Sequence, residues 1–138
     1  MYEALSAIGS VMLDPYLLML IFVTTIGGIV IGVLPGLGAT TGAALLLPFT
    51  LTMSPVHAIA VLATLYVSAT FAGSITAILI NTPGTSAAAA TTFDGFPLAQ
   101  RGEAGRALGI AVVASTIGGI FSIIVLCFAA PMLARVAY

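Results

Sequence analysis

Two proline–glycine pairs interrupt otherwise apolar residues: Pro35-Gly36 within VLPGLGATTG (33–42) and Pro83-Gly84 within NTPGTSAAAATT (81–92). Proline removes a backbone N–H and breaks helical hydrogen bonding, while glycine admits conformations closed to other residues. In hydrocarbon the freed main-chain groups need partners, so such breaks are tolerated where protein covers them or where they line a watery cavity. Matching interruptions in two segments can therefore build a binding site, in which half-helix N-termini hold an anion and freed carbonyls hold Na+. The candidate residues are Pro35, Gly36, Gly38, Thr40 and Thr41 at the first break, and Asn81, Thr82, Pro83, Gly84, Thr85 and Ser86 at the second. The competing reading is that both prolines mark ends of membrane spans at the interface.

Other chemistry is sparse. His57, two residues after Pro55, fits a proton relay or an interfacial, packed histidine. Cys127 is alone, which excludes a disulfide framework or a cysteine-based metal site within the chain. The sequence shows no nucleophile with a base, no paired carboxylates and no zinc-ligand cluster, so no enzyme and no organic cofactor is expected. With a net charge of -1 and no basic tract, nucleic acid is excluded as a partner.

The elements that must carry the breaks are membrane helices. Of 138 residues, 61% are hydrophobic and 5% charged, with a mean hydropathy of +1.28; soluble domains carry roughly 25% charged residues. Residues 15–93 contain no Asp, Glu, Lys or Arg. The reading is an all-α integral membrane protein, one domain over 1–138, with spans at about 15–34, 55–80 and 107–131, interrupted segments at 35–53 and 81–92, and a hydrophilic loop at 93–106. The segment 38–53 is short and contains Pro48, which suits a half-helix or re-entrant segment. The run 55–80 would extend about 39 Å at 1.5 Å per residue, so tilt or a break near Gly73 is expected. Asp94, Arg101 and Arg106 form a solvated turn in this reading. Because residues 1–14 lack Lys and Arg, the first apolar run is read as retained rather than as a signal peptide. The arginines do not decide which side the N-terminus occupies.

Small residues recur at near-helical spacing: Gly28, Gly32 and Gly36; Ala60, Thr64, Ser68, Ala72 and Thr76; and Ala111, Ser115, Gly118 and Ser122. Such stripes let helix backbones approach closely in lipid, and are read as packing seams. The order apolar helix, PG break, small threonine-rich segment occurs twice, as in an internal repeat.

GVLPGLGATTGAALLLPFTLTMSP (32–55) and AGSITAILINTPGTSAAAATTFDGFPLAQRGEAGRALGIA (72–111) resemble the N-terminal part of the large membrane subunit of the tripartite tricarboxylate transporter family. The resemblance runs from about residue 15 to the end. It implies a multi-pass permease of the bacterial inner (cytoplasmic) membrane, a secondary transporter working with a small four-helix membrane subunit and a periplasmic solute-binding protein. Its substrate would be citrate or another carboxylate, with Na+ or H+ as the coupling ion. The family's large subunit is several times longer, so the chain is read as an N-terminal fragment. Where relatives often carry Tyr-Gly-Gly-Ser before the second break, this chain has Phe71-Ala72-Gly73-Ser74, and no role of that tyrosine carries over.

The two broken segments are expected to face each other near the bilayer midplane as half of a carboxylate site. With no cation in 15–93, backbone N–H groups, the hydroxyls of Thr40, Thr41, Thr82, Thr85 and Ser86, and the Asn81 amide would supply the field. The alternative is a small helical membrane protein that does not transport and serves as an oligomerisation or assembly scaffold.

Overall fold

The computed structural model describes Gly9 and residues 13–137. Five helices follow in order: α1 (Pro15–Val33), α2 (Ala39–Thr50), α3 (Pro55–Ile80), α4 (Thr91–Gln100) and α5 (Ala104–Ala137), with a 3-10 turn at Ser86–Ala88. No strand occurs among the described residues. α1, α3 and residues Ala104–Ala130 of α5 are each long and apolar enough to cross a membrane, and the chain is an all-α membrane protein.

α1 and α3 begin in the same way. Asp14 and Ser54 are the N-caps, and Pro15 and Pro55 occupy the first turn, where a missing N–H removes no helical bond. The Asp14 carboxylate accepts from the Tyr16 N–H at 2.9 Å. α1 stops at Leu34, whose backbone is extended, as suits a residue before proline. α3 stops at Asn81, which adopts the left-handed conformation (φ 56°) and donates its N–H to the Thr76 carbonyl.

α1 and α3 lie side by side in parallel. Asp14 meets His57 near their starts, while toward the end of α1 an added β-carbon on Gly28 would fall 1.9 Å from Ser68 Oγ, and one on Gly32 would fall 2.1 Å from the Ala69 carbonyl oxygen. Gly28 and Gly32 of the first stripe and Ser68 of the second thus lie in the seam that lets these backbones touch, whereas Gly36 stands in open space. Along α3 this seam buries Leu65, Ser68, Ala69, Ala72, Gly73 and Thr76.

Parallel neighbours joined by 34–54 require that segment to travel back along α1. α2 does so: Gly42, near its start, packs on Ile31 and Leu65, and its end leads to Ser54 at the other face. Residues 34–54 therefore form a complete return leg with an open stretch at its beginning, rather than re-entering on one side.

Of tilt or a break in 55–80, the break is absent: α3 passes through Gly73 without interruption. Two other expectations need correction. The hydrophilic stretch 93–106 is not a loop, since Thr91–Gln100 is helical; Gly95 on α4 lies close to Ile78, so packing on α3 holds a short helix that contains Pro97. Around the turn that follows, Gly102 has φ 82° and Arg106 pairs with Glu103 at 2.8 Å. The third stripe does not pack as a seam: Ser115, Gly118 and Ser122 on α5 are exposed.

Candidate functional site

The second proline–glycine break packs on the last turn of the helix that leads into the first. After α3 the chain doubles back, so that Gly84 donates its N–H to the Gly73 carbonyl at 3.3 Å. Gly84 is buried, and a β-carbon there would lie 2.3 Å from the carbonyl oxygen of Gly32 and 3.0 Å from the Cα of Gly73. Gly73 in turn faces Thr85, whose Oγ1 would sit 2.8 Å from a β-carbon at Gly73. The second break thus rests on the last turn of α1, three residues ahead of Pro35. Only glycines at 32, 73 and 84 allow three backbones to come this close.

Main-chain and hydroxyl groups gather around this contact. Thr76 Oγ1 donates to the Gly73 carbonyl at 3.1 Å, and the Thr82 N–H reaches the Thr76 carbonyl at 3.4 Å. Thr85 Oγ1 is buried without a hydrogen-bond partner. Across the first break, Gly36 takes φ 91° with open space around it, and Gly38 begins α2 with no side-chain oxygen capping the first turn. An uncapped helix start carries partial positive charge on its N–H groups and accepts anions.

The candidate residues divide by exposure. Pro35, Gly36, Thr40, Thr41, Asn81, Thr82, Pro83 and Ser86 are exposed; Gly38 and Thr85 are half-buried; Gly84 is buried. The Thr82 hydroxyl turns back to the Ile80 carbonyl at 3.2 Å. Gly32, Gly73 and Thr76 line the same contact but were not among the candidates. Their signal was the small-residue stripe, to which Gly32 and Thr76 belong.

Helix rise places the contact along the helices. Gly32 lies about 26 Å along α1 from Pro15, and Gly73 about 10 Å short of the end of α3. The contact thus lies near the end of α1, well away from the Asp14 end.

At the opposite face, His57 joins two partners that the sequence did not connect. Its Nε2 lies 3.2 Å from Asp14 Oδ2, its Nδ1 hydrogen-bonds Ser54 Oγ, and its ring stands 5.5 Å from that of Tyr16 at 57°. The Tyr16 N–H, opposed by partial desolvation and aided by His57, holds the Asp14 carboxyl below the usual aspartate range. A serine and a base are therefore within reach of each other, contrary to the reading of the sequence. Ser54 Oγ, however, is also the N-cap oxygen of α3, facing the His57 N–H at 3.5 Å. Among the described residues no group of three metal-ligating side chains exists.

An uncharacterized 52.8 kDa protein in the TAR-I ttuC' 3' region of Agrobacterium vitis is 45% identical over 125 residues, covering 91% of this chain and 25% of that protein. The chain thus spans about a quarter of the length of that curated relative. No solved structure matches. The model of the tripartite tricarboxylate transporter TctA family matches residues 18–138, which takes in both breaks and all five helices but for the first residues of α1, and the chain belongs to that family.

Proposed function

We propose that the chain forms part of the membrane permease of a binding-protein-dependent tripartite transporter, and that the contact between the two breaks is half of a recess for a carboxylate. The observation that supports this reading is the seating of Gly84 against the Gly32 carbonyl, which brings the second interruption onto the end of the helix that leads into the first. N–H groups at the uncapped start of α2 and at Ser86 would hold the anion, with Thr40, Thr41, Thr85 and Ser86 as hydroxyl donors. Carbonyls at the breaks would receive Na+ if that is the coupling ion. The remaining contacts would come from further membrane helices and from the partners expected for this family, a small membrane subunit and a solute-binding protein. The proposed location is a bacterial inner membrane.

The test is uptake of labelled di- and tricarboxylates by the intact transport system carrying Gly36→Leu or Gly84→Leu. Both variants should insert in the membrane and lose uptake. Normal uptake by both would contradict the recess. An assembly scaffold would instead show no uptake in the unmodified system.

A further inference from the structure

The cluster at the start of α1 and α3 has no part in the recess. Asp14 caps α1 and His57 lies in the first turn of α3, 43 positions later, yet their side chains meet at 3.2 Å. Asp14 and Tyr16 from α1 and Ser54 from the histidine's own turn are the titratable and polar groups that face it among the described residues. α2 contributes none, because residues 39–50 contain no titratable side chain. The pair is reachable by water, with 35% of the Asp14 side chain and 23% of the His57 side chain exposed.

From this geometry we propose that His57 and Asp14 form a proton-binding clasp that closes the start of α1 onto the start of α3. With a neutral imidazole the contact is a hydrogen bond between a ring nitrogen and a carboxylate. When the ring takes a proton, both nitrogens become donors, and the contact becomes a charge-assisted bond between opposite charges. Ser54 Oγ accepts from Nδ1 in the protonated ring, so both ring N–H groups are satisfied without moving either helix. Protonation therefore tightens the clasp, and at higher pH it relaxes to the weaker neutral hydrogen bond. Further along, the same two helices are held together where Gly28 meets Ser68 and Gly32 meets Ala69. The inference stands without the transport reading.

His57 is the only histidine in the chain, so histidine-specific isotope labelling reports on this residue alone. The full chain in lipid nanodiscs, with Cys127→Ser, would carry spin labels at Leu13 and Val56, both exposed beside the clasp. Read at pH 5.5 and 8.5 beside the histidine signals, the inter-label distance should be short wherever those signals report a protonated ring and longer or broader wherever they report a neutral one. His57→Gln and, separately, Asp14→Asn should remove the pH dependence, and His57→Lys should keep the short distance at both values. A distance that stays constant while the histidine titrates, or that responds to pH equally in His57→Gln, overturns the proposal.

Discussion

Gly84 rests on the carbonyl of Gly32, so closely that a β-carbon at Gly84 would lie 2.3 Å from that oxygen. Neither residue is near the other in sequence, and each adjoins a proline–glycine break. The contact has a direct consequence for stability. Gly84→Ala must displace backbone rather than a flexible side chain, and should cost about 1–3 kcal/mol by overpacking. Equilibrium unfolding in mild detergent measures this. Gly27→Ala is the matched control, because nothing lies within 4 Å of its added β-carbon, and it should be neutral or slightly stabilising.

Gly36 makes a different demand. Its surroundings are open, yet its φ of 91° lies where side-chain-bearing residues are strained. Gly36→Ala should cost about 1–3 kcal/mol through backbone strain alone. Gly38→Ala, also in open space but with an extended backbone, should cost less, and equal losses in the two would show that φ is not the cause.

Thr85 separates stability from function. Its buried Oγ1 has no partner, so Thr85→Val removes an unsatisfied polar atom while keeping the shape. Stability should be unchanged or rise by about 1 kcal/mol. Uptake by the intact system should fall if the hydroxyl serves the carboxylate, whereas Thr85→Ser should retain it.

The Asp14 carboxyl is held below its usual range, first by the Tyr16 N–H. A depressed folded-state value contributes stability above the unfolded-state value, and that contribution is lost as pH falls through the folded one. Thermal stability should therefore drop below about pH 4, the ordinary aspartate range. Asp14→Asn should be less stable at neutral pH and should lose this part of the acid sensitivity in a pH series of melting curves.

Much of the fold could be read directly from the sequence because its signals are local. Apolar runs without charge mark α1, α3 and α5, and proline–glycine pairs mark the breaks. α4 could not be read in that way: Gly95 and Pro97 argue against a helix, and what opposes them is contact with Ile78, a residue from another helix. The same holds for the site. Pro35 and Pro83 mark the interruptions, but the packing of the second depends on Gly32, which reads as a packing residue, and on Gly73, which reads as a place for a helix break. The pairing of Asp14 with His57 joins positions 43 apart, and no periodicity encodes it.

The recess itself is tested most directly by protection of introduced cysteines. In the intact transport system with Cys127→Ser, Thr41→Cys and Ser86→Cys should react with a membrane-impermeant thiol reagent added from one face. A transported carboxylate should slow both reactions several-fold, while Phe22→Cys on the outer surface of α1 should show no protection. If neither cysteine at the breaks reacts, or if both react at the same rate with and without carboxylate, the breaks do not form a carboxylate site.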